Sequence, residues 1–276
     1  MKKYLLPCED SQMDQAKAKP KTVELRQNIY QFRSERPGCH VYLVKGQRKN
    51  VLIDTGSASN YANLAACLAD VGLVPHDVHL IILTHEHFDH IGACPLFYER
   101  TVVAAHSLAA NKMELQDEFV TMSKYLDEGA KHFRADIWLE ADTILDLGNY
   151  RLRVLHTPGH CSGCICLYEP DQELLFTGDT VLAGGTLSGI LGSGNISDYI
   201  KSLQLLSRLR VEEMFPGHGR ISTNAEEDLD KALENAIFMM EECKILFATL
   251  DTKFTYDQYF SAIRKMPIAP GSPPRG

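Results

Sequence analysis

No stretch of the 276 residues reaches the roughly 18 to 20 consecutive apolar positions of a membrane-spanning helix, so no membrane partner is expected. A basic excess is also missing: 28 Lys and Arg stand against 36 Asp and Glu, for a formal charge of −8. That balance argues against nucleic acid or an anionic lipid surface as a partner. Cysteine is sparse, eight in the whole chain, and the N-terminus offers only Tyr4, Leu5 and Leu6 between Lys3 and Pro7, too little for an export signal. A disulfide framework is therefore not expected, and a cytoplasmic protein with reduced thiols is. The glycine-rich run from Ala183 to Asn195 lacks the G-x-x-x-x-G-K-[ST] pattern of a phosphate cradle and reads as a loop over the active site.

What is present is the composition of an ordinary globular chain, 45% hydrophobic and 23% charged. Residues 22–266 read as one domain, between a patternless polar segment at 1–21 and a proline-rich tail at 267–276, both expected to be mobile. Apolar and β-branched runs predict strands at 29–32, 41–44, 51–53 and 80–83, and again at 143–147, 150–156, 164–168, 174–177 and 213–215. Helical spacing predicts helices after Asn60, from Ser197 to Leu209, over 224–249 and, more weakly, over 256–265. The stretch 107–138 has a mostly helical pattern. Its Phe119, Met122, Tyr125 and Leu126 form either core or an apolar substrate wall, and in the second case Met122→Ala and Tyr125→Ala alter chain-length preference. Two strand-rich halves separated by helices imply an α/β (α+β) fold, two facing sheets with helices on their outer faces.

The most informative stretch runs from Leu80 to His90, where a buried strand ends and potential metal ligands crowd together. An extended chain past Thr84 points His85 and His87 to the same side, so both imidazoles can reach one ion at about 2.0 to 2.1 Å. Asp89 and His90 can curl toward a second ion. A helical H-E-x-x-H protease motif is excluded, because Asp89 stands where its second histidine is required. Packing alone gives no reason for so many titratable groups at a strand end. Three more strand ends carry His160, Asp179 and His218, each beside glycine, and together these residues make seven candidate ligands, enough for two ions.

The run Thr84 to His90, the isolated His160, Asp179 and His218, and the early Ile53-Asp54-Thr55-Gly56 turn resemble the metallo-β-lactamase fold superfamily from about Val23 to Ile221. The resemblance implies a four-layer αββα sandwich. It also implies that His85, His87 and His160 hold one ion, that Asp89, His90 and His218 hold the other, and that Asp179 bridges them. Two Zn2+ per chain are expected, with Fe or Mn accepted by the same ligands. Such a pair would share a hydroxide with a pKa lowered toward 7, ready to attack an ester-type bond, while Asp89 handles the proton as the catalytic carboxylate.

Within that superfamily, the bridging Asp179 separates the chain from zinc β-lactamases, and His87 separates it from flavodiiron proteins. Acyl-homoserine lactonases carry a tyrosine where Leu182 stands. Glyoxalase II-like thioesterases resemble the run Arg153 to His160 but have glycine at the position of Ala93. The expectation is a dinuclear metal hydrolase acting on a small-molecule ester, thioester or lactone, hydroxyacylglutathione hydrolase-like. The alternatives are a lactonase, a mononuclear-iron persulfide dioxygenase, a compact endoribonuclease and a non-catalytic ligand sensor. Cys161 and Cys164 have C-x-x-C spacing, but Cys164 to Leu167 reads as a strand in which cysteine is a small hydrophobe. His40, His76, His79, His106 and His132 lack ligand-like company, His156 lies four residues before His160, and surface or core roles are expected for all six.

Overall fold

The computed structural model describes residues 21–34, 38–97, 101–123 and 133–249. The expectations for residues 1–20, for Tyr125, Leu126 and His132, for the helix at 256–265 and for the tail at 267–276 lie outside these.

Alternation along the strands decides which way each sheet faces. The chain opens with β1 (Thr22–Arg26), β2 (Ile29–Phe32), β3 (Val41–Lys45) and β4 (Asn50–Ile53), then α1 (Tyr61–Asp70) and β5 (Leu80–Leu83). After the short α2 (Phe88–Ile91) come β6 (Val102–His106), α3 (Ser107–Glu114) and β7 (Ile137–Leu139). These seven strands form one sheet in sequential order, antiparallel through β4 and parallel from β4 to β7. The second sheet collects β8 (Ile144–Asp146), β9 (Arg151–His156), β10 (Ile165–Glu169), β11 (Leu174–Gly178) and β12 (Glu213–Pro216) in the order β12-β11-β10-β9-β8. Helices α4 (Ile196–Leu206) and α5 (Ala225–Thr249) complete the described chain.

In the first sheet Leu43, Leu52, Ile81 and Val103 point one way, against Leu64 and Leu68 of α1 and Ala109 and Met113 of α3. Their neighbours Tyr42, Val51, Ile53, Ile82 and Ala104 point the other way and meet Val154, Ile165, Leu167, Phe176 and Phe215 of the second sheet. Leu155, Cys166, Leu175 and Met214 on its far face pack on Tyr199 and Leu203 of α4 and Leu229 and Ala232 of α5. Three apolar interfaces stack four layers, helices–sheet–sheet–helices, as the period-2 alternation of strand side chains requires. Each fully buried leucine or isoleucine contributes about 1.5–3 kcal/mol.

In the stretch expected to be helical to residue 138, α3 ends at Glu114, and residues 124–132 lie outside the described ones. Beyond Glu114, Gln116 adopts a positive φ of 53°, and the Asp117 carboxylate accepts bonds from the Phe119 and Val120 amides, a turn that competes with the helix ladder. Trp138 sits in β7 and is half exposed. Among the described residues, no helix is long and apolar enough to cross a membrane.

Candidate metal centre

The ends of β5, β9, β11 and β12 meet at one edge of the sandwich, and each delivers candidate ligands there. Beyond Leu83 the chain bends through residues 84–86, is extended at His87 (φ −75°, ψ 145°) and then winds into α2. This puts His85 and His87 on one side and turns Asp89 and His90 toward the neighbouring strand ends.

His85 Nε2 lies 3.0 Å from His87 Nδ1, which lies 2.9 Å from His160 Nε2. Three ring nitrogens therefore converge, at spacings close to those among ligands of one ion bound at about 2.0 to 2.1 Å. Burial, reinforced by the facing histidines, holds His85 well below its ordinary value and His87 down to about 4. Both rings are neutral at neutral pH and keep a lone pair for a cation.

A second group sits beside the first. His90 Nε2 is 3.3 Å from His218 Nε2, which is 3.2 Å from Asp89 Oδ2. Asp179 lies between the groups: Oδ1 is 3.4 Å from His90 Nε2, and Oδ2 is 3.6 Å from His218 Nε2 and 3.9 Å from His160 Nε2. Burial pushes the Asp179 carboxyl up, but His90 and His218 hold it well below the usual carboxylate range, so it is an anion. Its Oδ1 is buried without a hydrogen-bond partner, as is His87 Nε2. A buried carboxylate oxygen left unpaired among imidazoles fits a cation bridge, and imidazole with carboxylate is a donor set that divalent transition metals accept. The structure thus brings all seven sequence-derived candidates together.

The backbone that presents them is itself constrained. Gly178 has φ +49°, and a Cβ there would stand 2.6 Å from Thr84 Oγ1, so glycine lets β11 approach the end of β5. Cys39 N donates to Asp89 O at 3.1 Å and His40 N to Gly217 O at 2.7 Å, which ties the 38–40 segment to both sides of the second group. His40, read as lacking ligand company, supports the His218 loop by bonding Gly219 O at 2.9 Å through Nε2. The glycine-rich loop lies on His160: its Leu191 amide donates to His160 O at 2.9 Å, and Gly189 O meets His160 Nδ1.

Sequence reasoning missed the supporting residues. Asp54 is fully buried, accepts from Thr84 N at 2.7 Å and Thr84 Oγ1 at 2.8 Å, and faces His90 Nδ1 at 2.8 Å. It fixes the His90 ring so that Nε2 points into the site. The I-D-T-G turn was its signal, since Asp54 has a positive φ of 61°. Glu86 and Lys112 pair at 2.6 Å, and nothing in the local pattern announces that contact.

A family model described as the metallo-beta-lactamase superfamily matches residues 35–218. The chain belongs to the metallo-β-lactamase superfamily. An acyl-coenzyme A thioesterase, MBLAC2 of Gallus gallus, is 34% identical over 201 residues, covering 65% of this chain and 72% of that protein. The crystal structure of TTHA1623 in a di-iron-bound form superposes with TM-score 0.59 at 29% identity over 70% of this chain and 94% of its own. The di-zinc class B3 metallo-β-lactamase LRA-12, from an Alaskan soil metagenome, shares the fold with TM-score 0.61 at 19% identity, over 81% of this chain and 94% of its own. The metallo-β-lactamase fold implies metal ions, and the His/Asp clusters are where this chain can hold them.

Proposed function

We propose that this protein is a dinuclear metal hydrolase that cleaves acyl thioesters, with acyl-coenzyme A as the substrate class. The observation that carries the hydrolase reading is the pair of adjacent ligand groups joined by the Asp179 carboxylate. The thioester follows from likeness to the acyl-coenzyme A thioesterase of Gallus gallus. In this reading His85, His87 and His160 hold one ion, Asp89, His90 and His218 the other, and Asp179 both. Zinc is the metal this imidazole-rich set suits best. Such ions, when bound, supply Lewis acidity for the carbonyl oxygen and a strong nucleophile from water at neutral pH.

The chain's residues supply the rest. Asp54 and Thr84 orient His90, and the Gly189 carbonyl orients His160. Burial pushes the Asp89 carboxyl up, but His90 holds it below the ordinary value, so Asp89 is an anion able to accept a proton from the attacking water and return it to the departing thiolate. The balance is one water consumed and one carboxylic acid and one thiol released. A one-iron dioxygenase would leave the Asp89, His90 and His218 group without a role. We read residues 22–266 as a single hydrolase domain in a cytoplasmic protein. Cys39, Cys67, Cys94, Cys161, Cys164 and Cys166 are free and buried, which fits a reducing compartment.

The test is thiol release from acetyl-, octanoyl- and palmitoyl-coenzyme A, alongside an acylglutathione, a lactone and a phosphodiester. Chelator-sensitive release from the coenzyme A esters is expected. Hydrolysis of the lactone or phosphodiester alone would overturn the thioester assignment.

A further inference from the structure

Glu86 sits between two candidate ligands, His85 and His87, yet points away from them. The His85 and His87 rings converge, with Nε2 and Nδ1 3.0 Å apart, while the Glu86 carboxylate between them turns to other partners and is completely buried. A carboxylate there needs partners, and it has three: Lys112 Nζ at 2.6 Å on Oε1, Ser193 Oγ at 3.4 Å on Oε1 and Cys161 Sγ at 3.2 Å on Oε2. The space is closed around it. A Cβ on Gly163 would lie 2.2 Å from Glu86 Oε2 and 2.6 Å from Ala109 Cβ.

Lys112, on α3, directs its ammonium to three oxygens: Glu86 Oε1, Ser162 Oγ and Ser193 Oγ, the last at 2.9 Å. Ser193 Oγ also accepts from the Ser162 amide at 3.0 Å, closing the network. Each partner belongs to a segment that fixes one corner of the three-histidine group. Glu86 separates His85 from His87, Ser162 follows His160 by two residues, and Ser193 lies in the loop whose Gly189 and Leu191 bond His160. The ammonium is joined to all three segments by charge-assisted bonds, the strong class of hydrogen bond.

We infer that Lys112 and Glu86 form a clamp that sets the spacing of His85, His87 and His160 and so governs how firmly an ion is held there. Lys112 is a positioning residue. The inference rests on reading those three histidines as the ligands of one ion. Partners outside the ligand shell typically change metal affinity by about 10–100-fold when removed.

The experiment uses the full chain loaded with zinc, as wild type, Lys112→Met and the double variant Glu86→Gln/Lys112→Met. Zinc per chain is measured by mass spectrometry, zinc release to a chromogenic chelator by stopped flow, and thermal stability on metal-free protein. The expected result is that Lys112→Met releases one of its two ions about 10–100-fold faster than wild type. The double variant, which no longer buries an unpaired charge, should recover metal-free stability but keep the fast release.

Release within twofold of wild type in Lys112→Met would overturn the clamp. So would a release rate that recovers together with stability in the double variant, because Lys112 would then serve the fold alone. Should Lys112→Met not fold, Ser193→Ala leaves the ion pair in place and removes one tie. It should speed release of one ion several-fold, and an unchanged rate counts against the clamp. Wild type that takes up no zinc removes the metal-site reading and the clamp with it, whereas wild type with two ions and an indifferent Lys112→Met removes the clamp alone.

Discussion

The Asp54 carboxylate faces His90 Nδ1 at 2.8 Å while its two oxygens also take the amide and hydroxyl of Thr84. One buried acid thus fixes the ring of a candidate ligand and the strand end from which the His85-Glu86-His87 run departs. Replacing Asp54 with asparagine keeps the shape and removes the charge that favours a Nδ1-protonated ring. We expect zinc at the Asp89, His90 and His218 group to bind about 10–100-fold more weakly, read by titration against a competing chelator, with stoichiometry falling from two toward one.

Asp89 is assigned the proton-handling role, and its carboxylate lies 3.2 Å from His218 Nε2. Asp89→Asn leaves a possible ligand oxygen but cannot take a proton. It should lower kcat for acyl-coenzyme A by about 100-fold or more while zinc content stays near two. Full turnover in a variant that retains both ions would remove Asp89 from the chemistry.

The apolar rim beside the site predicts substrate preference. Thr121 O accepts the Phe88 amide at 2.9 Å, which seats the 117–121 turn against the start of α2, and the loop over His160 meets Val120 at Gly192. Phe119 is 66% exposed and Leu191 37% exposed on this rim, an apolar surface open to an acyl chain. Phe119→Ala and Met122→Ala should lower the ratio of palmitoyl- to acetyl-coenzyme A turnover, by kcat/KM, about tenfold, since each methylene removed from water contributes about 0.8 kcal/mol. An equal loss on both substrates would show that these side chains serve packing.

Stability should fall in acid for a reason separate from the metal. His106 is buried, stacks on His156 with ring centroids 3.8 Å apart and an interplanar angle of 10°, and accepts the Leu108 amide through Nδ1. Burial, with the facing His156 second, pushes it down to about 4. Its folded value lies below its unfolded value, so between about pH 6.5 and 4 the unfolded chain binds the extra proton and stability declines as pH drops. The effect is at most about 3 kcal/mol. His106→Asn, which retains an acceptor at the start of α3, should reduce the difference in denaturation midpoint of metal-free protein between pH 7.5 and 5. An unchanged difference would discount His106.

Much of this centre is legible in the sequence because strand ends announce themselves. Leu80 to Leu83 is a short apolar run, and the sudden change to titratable residues marks where the sheet stops. Glycines beside His160, Asp179 and His218 mark the other ends. The strands 22–26, 102–106 and 137–139 left weaker signals: β1 is nowhere fully buried, three of the five residues of β6 are alanine or histidine, and β7 exposes two of its three residues. The helix reading over 107–138 followed apolar spacing at Phe119 and Met122, but a single carboxylate at Asp117 turns the chain there. Contacts such as Glu86 with Lys112 join residues far apart in sequence, and no local periodicity encodes which lysine a buried acid will meet.

The most direct test of the central claim is metal content of protein purified without added metal, with acyl-coenzyme A hydrolysis followed before and after chelation. The account predicts about two zinc per chain, thiol release that disappears with the metal, and its return on adding zinc back. One iron per chain with oxygen uptake on a persulfide, or thioester hydrolysis that survives complete metal removal, would contradict it.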